Sequence, residues 1–520
     1  MVIMTKVERV SALYLLGSVA VVVLGVVLSL IVLPGPDLLW RLYIADGLLN
    51  GKQLYRDLLE VNPPLWFWAA IPAAWLAQNT LILPYHALIG MNVAGVVSTT
   101  FIVFHLAKKT LGPVAAATAA FGFLFALSLV SVGDLGQREQ SLLMACGIWI
   151  SLLCARQAGH KVATPIAILV GLMSAYGFAL KHYFVLLPLI LEAWLLWHQK
   201  RAWRPFRPET VTLAICAIAY ALAVWKFTPD FLGRMLDLIQ TTYFGFGSWN
   251  NWNSLGRKAR LLLQGLWILI PIAIMVLTRD RRPFCVALAL AILACAAIVL
   301  LQQKGWSYHF VATFGLAVML SFIMVHQAFS NQEKGARMAL TLVAALGVIW
   351  NLVVIPAMGN VKTRGQPVEP LLKSIVAKEP KDSRIFILSV GPDYAFHPLA
   401  DAGRPYWSRY YSLWMLPGLL TPNKDPKLEA IRKVEKERVR SEFVEDVQCS
   451  RPNLIIGEAG YIGTPDPVRI DTITYLSEDP EFKAWLNSHY LAESKIGPYP
   501  ARRVNPAAPP PPCSRSPKQP

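Results

Sequence analysis

The sequence predicts a polytopic α-helical membrane protein with about eleven transmembrane helices and a small α/β domain at the carboxyl end. Three observations carry this. The 520 residues are 55% hydrophobic and only 16% charged, with a mean hydropathy of +0.44, whereas a soluble domain carries about 25% charge. Apolar runs near the roughly 20 residues that cross a hydrocarbon core recur along the chain. The acids, finally, are unevenly spread: residues 1–357 hold 13 of the 32 Asp and Glu, and 358–520 hold 19, giving net charges of +13 and +4. A membrane body (1–357), an outer α/β domain (358–505) and a disordered proline-rich tail (506–520) follow from that split.

The apolar runs fall at 11–33, 83–107, 112–130, 139–155, 163–180, 183–198, 209–227, 261–278, 283–302, 309–328 and 337–357. The first is longer than a signal-peptide core and leads into Leu33-Pro34-Gly35-Pro36 without an A-x-A cleavage site, so it reads as a retained anchor. Within the outer loop 34–82, Pro64–Ala77 is short, Trp-rich and holds two prolines, which predicts an interfacial or re-entrant helix rather than a span. Counting it as a span would also break the charge parity. Without it, Lys6/Arg9, Lys108/Lys109, Arg156/Lys161, Lys200/Arg201/Arg204/Arg207, Arg279/Arg281/Arg282 and Lys334/Arg337 all fall on one side. Those 15 basic residues in short loops assign that side to the cytoplasm. The amino terminus is then inside and the carboxyl-terminal domain outside. The net charge of +17 follows from this orientation and calls for no nucleic acid.

Five cysteines (Cys146, Cys154, Cys216, Cys285, Cys295) fall in spans, where small polarizable packing is their ordinary role. Cys449 and Cys513 lie in the outer region, and no spacing rule decides whether they pair.

The ionisable groups mark where chemistry belongs. Of the 13 acids in the membrane body, eight lie on the outer side: Asp37, Asp46, Asp57, Glu60, Asp134, Glu139, Asp230 and Asp237. Span interiors hold only Glu192 and Lys226, both toward span ends. Asp37 precedes an amphipathic run, Leu38–Leu49, and reads both as its N-cap and as a general base at the membrane surface. In Gly133-Asp134-Leu135-Gly136-Gln137-Arg138-Glu139, four polar groups stand between apolar helices. They read either as a capped loop with paired charges or as a pocket that positions an acceptor or ligates a divalent cation through oxygen. Lys181-His182-Tyr183 forms the turn between the fifth and sixth spans, and Lys304 through Tyr308 and His309 links the ninth and tenth. A lone lysine at a span end snorkels, but both pair a histidine with an aromatic on the acidic side, which suits a phosphate at headgroup depth. The stretch Tyr243–Asn253 reads equally as a sugar-contacting surface or as an aromatic belt.

A further set of motifs completes the picture: Gly51-x-x-Leu54-Tyr55-x-Asp57, then Glu60-Val61-Asn62-Pro63-Pro64-Leu65, and in the tail Phe396-His397-Pro398, Trp407-Ser408-Arg409 and Trp414. With Asp37 before them and Asp134 after the first two, this ordered set resembles the bacterial integral-membrane glycosyltransferases of the GT-C superfold. Its broad relatives are the protein O-mannosyltransferases and the lipid A aminoarabinose transferases, and the likeness covers roughly residues 10–360. It implies a polyprenyl-phosphate-linked sugar as donor, transfer on the periplasmic face, Asp37 as catalytic base, and Asp134 and Glu60 as site carboxylates. Tyr55 and Asp57 enter as substrate-binding residues with Arg138, Glu139, Lys181, His182, Lys304, Tyr308 and His309. Relatives often carry a lysine before the paired prolines; here Asn62 stands there, which leaves Lys181, Arg138 and Lys304 to hold the donor phosphate.

The chemistry needs what this outer ring offers. A carboxylate takes the proton of an acceptor hydroxyl on an envelope glycolipid, a polysaccharide or a protein. Fixed cations stabilise the departing lipid phosphate, and the bilayer concentrates the lipid donor. No cofactor is certain from the sequence, a divalent cation stays open, and the absence of G-x-x-x-x-G-K-[ST] argues against direct use of a nucleotide. Two other classes stay open. An O-antigen ligase or polymerase uses Arg and His in a large outer loop, yet loop 228–259 holds Arg234, Arg257 and Lys258 without a histidine. A non-enzymatic carrier calls for polar groups at mid-membrane depth, which are nearly absent.

In the outer region, Arg384–Ser389 and Pro452–Gly457 read as short strands, Lys427–Val447 as a charged helix, and Tyr490–Val504 as a hairpin around Gly497-Pro498. This domain reads either as a selector of the acceptor or as a structural lid.

Overall fold

A computed structural model describes residues 6–32, 34–243, 268–302, 306–330, 370–462, 468–492 and 494–509. The expected span 337–357, the first part of that at 261–278, Lys304, the stretch 244–253 and Cys513 lie outside the described residues. The helices in chain order are α1 (Lys6–Ile31), α2 (Pro36–Leu49), α3 (Leu65–Trp68), α4 (Ile71–Asn79), α5 (Pro84–Leu111), α6 (Pro113–Phe125) and α7 (Arg138–Gln157). They continue with α8 (Thr164–Ala179), α9 (Leu186–Gln199), α10 (Pro208–Phe227), α11 (Leu236–Thr242), α12 (Ile268–Leu277), α13 (Pro283–Gln302) and α14 (Val311–Ser330). Among the described residues, six helices are long and apolar enough to cross a membrane: α1, α5, α6 with its π-helical extension Ala126–Val130, α10, α13, and the segment Tyr308–Gln327.

Proline and glycine set the boundaries. Pro113 opens α6 directly after Gly112, whose φ of +78° lies where side chains are strained, so the chain folds back on itself between α5 and α6. Three boundaries differ from the sequence expectation. Helix α2 starts at Pro36, so Asp37 sits inside its first turn instead of capping it. Arg138 and Glu139, read as loop charges, form the first turn of α7. The predicted interfacial helix Pro64–Ala77 is two helices, α3 and α4, because Pro72 opens a new helix at its start.

The chain divides into two compact units. The first comprises residues 1–38, 68–223 and 254–364. Helix α7 is its centre and packs against α5, α8, α9, α13 and α14. Close approach is possible because small residues face the neighbours: a Cβ on Gly177 of α8 would stand 2.6 Å from the Ser141 carbonyl oxygen of α7. Nearly every residue of α7 is buried, including Arg138, Glu139 and Gln140.

The second unit comprises residues 39–67, 224–253 and 365–520. It holds a four-stranded sheet in the order β1 (Ile385–Leu388), β2 (Leu454–Gly457), β6 (Tyr499–Arg503), β5 (Ser494–Ile496), with β1 and β2 parallel and the others antiparallel. A hairpin of β3 (Ala459–Ile462) and β4 (Val468–Asp471) stands apart from it. The turn between β5 and β6 uses Gly497 at φ +63°. Leu372, Val376, Ile385, Ile387, Leu454 and Ile456 form its core. The long helix Pro426–Ser450 covers the charged run and is capped by Asp425, whose side chain accepts from the Lys427 amide. Cys449 is disulfide-bonded, and Cys146, Cys154, Cys216, Cys285 and Cys295 are free thiols.

Candidate active site

In the first unit, four separate stretches of sequence meet at the first turn of α7. The Asp37 carboxylate lies 4.0 Å from the Arg138 guanidinium; Asp37 is about one-third exposed (32%) while Arg138 is buried (3%). The neighbouring Glu139 is buried and accepts from the Lys181 ammonium at 2.5 Å. Lys181 donates a second time to Gln302 Oε1 at 2.8 Å, at the end of α13. The ammonium stands 5.5 Å from the centre of the Tyr308 ring and 5.8 Å from that of Phe184, which adds cation–π attraction. The other oxygen of Glu139, Oε2, has no hydrogen-bond donor among the described residues.

The loop before α7 is fixed by a residue the sequence reading passed over. Gln140 accepts from the Gly136 amide and from Asn92 Nδ2, both at 2.7 Å, and donates to the Leu127 carbonyl and to Ser131 Oγ. Gly136 needs its φ of +74° to make that turn. Asp134 closes a 3₁₀ turn (Val132–Asp134) in this loop and is half-buried. Its carboxyl is pushed up to about 7, first by desolvation and then by the carboxylates of Glu139 and Asp37. Lys181 is pulled down to about 8 by desolvation, which outweighs the stabilising charge of Glu139; Arg138 lowers it further. His182 is exposed, and the loss of water on one side together with the charge of Lys181 lowers its pKa. The His309 imidazole is buried and meets the Tyr308 ring edge-to-face at 4.6 Å.

Asp37, Asp134, Arg138, Glu139, Lys181 and Tyr308 therefore gather in one region. Gln140 and Gln302 are the members that sequence reasoning missed. Gln140 was visible only as the next polar residue after Arg138 and Glu139, and Gln302 as the last polar residue of an apolar run. Among the described residues, no three His, Cys, Asp or Glu side chains converge closely enough to hold a metal ion. Asp37 and Glu139 are balanced by Arg138 and Lys181.

Glu60, Tyr55 and Asp57 belong to the second unit and form a tight turn there. Glu60 accepts from the Val61 and Asn62 amides at 2.8 and 3.0 Å, from Asn62 Nδ2 at 2.7 Å and from the Trp40 indole at 3.0 Å. Tyr55 is buried with φ +70° and donates to the Asn62 carbonyl at 2.6 Å. A positive φ on a tyrosine is strained and needs such surroundings to persist. Asp57 accepts from the Gln53 amide. In the same unit Arg234 donates to both oxygens of Glu442 and to the Tyr410 hydroxyl, and lies 3.5 Å from Glu435.

No protein-family model matches the sequence, and no curated protein matches it. Solved structures do match. ArnT from Cupriavidus metallidurans bound to undecaprenyl phosphate superposes with a TM-score of 0.59 at 12% identity, over 96% of this chain and 99% of that one. The apo structure of the same protein gives 0.46 at 14% identity, over 96% and 98%. The archaeal oligosaccharyltransferase AglB from Archaeoglobus fulgidus, in complex with an inhibitory peptide and a dolichol-phosphate, gives 0.43 at 13%, over 91% and 78%. The first superposition, nearly complete on both chains, shows that this chain shares the polytopic helical fold of that ArnT structure.

Proposed function

We propose that this protein is a membrane glycosyltransferase that moves a sugar from a polyprenyl-phosphate donor to a hydroxyl of an envelope glycolipid, polysaccharide or protein on the periplasmic face of the inner membrane. The observation that carries the reading is the ordered charge array on α7 and its partners: Asp37–Arg138 beside Glu139–Lys181, set on a GT-C fold. The amino terminus would then be cytoplasmic, and residues 358–505 a periplasmic domain.

In this reading Asp37, the more exposed carboxylate, takes the proton of the acceptor hydroxyl as it attacks the anomeric carbon. Arg138 holds Asp37 in place. As the carbon–oxygen bond to the lipid phosphate breaks, Lys181 and Arg138 stabilise the growing phosphate charge in a site where Coulombic interaction is stronger than in water. The second oxygen of Glu139 accepts from a sugar or acceptor hydroxyl. Asp134, with a carboxyl near neutrality, relays protons at the same surface. Glu60, Tyr55 and Asp57 hold their turn in shape. Arg234, one of three cations in the loop a ligase-like enzyme would use, is engaged by Glu442 and Glu435, and that loop holds no histidine.

The test is release of polyprenyl phosphate from a panel of polyprenyl-phosphate sugars by membranes carrying wild type or Asp37→Asn, matched for folded protein by size exclusion in detergent. Near-abolition in the variant is the expected result. Undiminished turnover would remove Asp37 from the chemistry and shift the base to Asp134.

A further inference from the structure

Helix α9 starts one 3₁₀ turn (His182–Val185) after Lys181, and its 14 residues carry the chain about 21 Å along the helix axis to a second cluster of charge. This cluster, in the connection to α10, contains cations of two kinds. Arg207 is buried and donates to Glu192 and Glu209; Glu209 is fully buried and also accepts from Arg156 at 2.9 Å. These four residues neutralise one another and tie α7, α9 and α10 together. Lys200, Arg201 and Arg204, by contrast, are exposed and make no ion pair among the described residues.

The three free cations have apolar company. Trp197 is 79% exposed and Phe206 88% exposed, on either side of them. A shallow surface hollow of about 490 Å³ lies here, lined by Leu196, Trp197, Lys200 and Arg201. Two apolar side chains on the last turn of α9 and two cations just beyond it match the division of a phospholipid between acyl chain and headgroup. A soluble anion would answer the cations but would leave Leu196 and Trp197 facing water. Aromatics with one apolar body at the headgroup level are favoured for the same reason.

We propose that this surface hollow is a binding site for one anionic phospholipid, its phosphate between Lys200 and Arg201 and an acyl chain along Leu196 and Trp197. The site lies at the face read as cytoplasmic and is independent of the transfer reaction. The connection between α12 and α13 provides an internal comparison. It is also basic, with Arg279 and Arg281 exposed and Arg282 paired to Asp280 at 3.0 Å. A merely diffuse attraction would treat both loops alike.

The experiment is native mass spectrometry of the full-length protein, delipidated in detergent and titrated with phosphatidylglycerol or phosphatidylcholine. Wild type is expected to retain one phosphatidylglycerol in preference to phosphatidylcholine. K200Q/R201Q/R204Q is expected to bind it about 100-fold more weakly, from about fivefold per cation near an anionic headgroup. R279Q/R281Q is expected to bind as wild type. Trp197→Ala, which keeps every charge, is expected to weaken phosphatidylglycerol binding as well, and serves if the triple variant does not fold. Equal losses in the two charge variants, unchanged binding in K200Q/R201Q/R204Q, or displacement of the lipid by inorganic phosphate would each overturn the proposal.

Discussion

The Lys181 ammonium and the Glu139 carboxylate lie 2.5 Å apart, both buried, across 42 positions of sequence. Neither charge has water to fall back on, so each exists in that place because of the other. The next residue back, Arg138, is 4.0 Å from Asp37. Two carboxylates and two cations are thereby fixed to the first turn of one helix.

Breaking the pair from one side is expected to be costly. Glu139→Gln should lower stability by about 3–5 kcal/mol, the range for leaving one partner of a buried pair uncompensated. Glu139→Gln with Lys181→Met should recover much of it. Thermal unfolding in detergent of the two single variants and the double variant measures this; strict additivity would show that the two groups do not interact.

The pH profile of transfer is expected to be bell-shaped. The Asp134 carboxyl ionises near 7 in the folded protein, so activity that needs its charge rises through that value; Lys181 loses its proton near 8, so activity that needs the cation falls above it. Lys181→Arg should carry the alkaline limb upward, and Asp134→Asn should flatten the acidic one. Initial rates across about pH 5–10 test both, a range that extends roughly two units below the lower limb and two above the upper.

Stability should carry the opposite sign for Asp134. Its folded carboxyl titrates above its unfolded value of 3.8, so the folded state holds the proton more tightly and the stabilising contribution, complete below about 3.8, is lost as pH rises through about 7. Asp134→Asn should remove this dependence. Unfolding midpoints of the variant and wild type between those pH values decide it.

Gln140→Ala is expected to act through the loop. It removes the acceptor for the Gly136 amide and the donor to the Leu127 carbonyl, at a cost of about 1–3 kcal/mol for buried groups left unpaired. The loop carrying Asp134 should exchange its amide hydrogens faster while α7 beyond its first turn stays protected.

Glu60→Gln separates turn-making from chemistry. The amide keeps one acceptor oxygen but sets an N–H against either the Trp40 indole or the Val61 and Asn62 donors. A loss of about 1–3 kcal/mol is expected. Unchanged stability with lost activity would instead make Glu60 a participant in the reaction.

Much of the helical architecture is legible in the sequence because it rests on local rules. The apolar run at 283–302 is α13 to the residue, and Pro113 and Gly112 mark the start of α6. The strands Ile385–Leu388 and Leu454–Gly457 fall inside the two apolar runs read as strands. Boundaries failed where burial overrode polarity. Arg138 and Glu139 look like loop residues because charge is normally expelled from helices packed in a core. Here their partners, Asp37 and Lys181, arrive from 101 and 42 residues away, and no local pattern announces them.

The sequence by itself determined that this is a helical membrane chain, and set the expectation of a basic inner face and an acidic outer one. Hydropathy and charge act on each segment separately, so they can be read segment by segment. Only the tertiary structure decided which of those carboxylates meet: Asp37, Asp134 and Glu139 with Arg138 and Lys181 in one unit, Glu60 in a turn of the other. It also assigned Gln140 and Gln302 their places. The reason is physical. A buried charge is tolerated only in the presence of its partner, and pairing is a property of packed helices that no single segment contains.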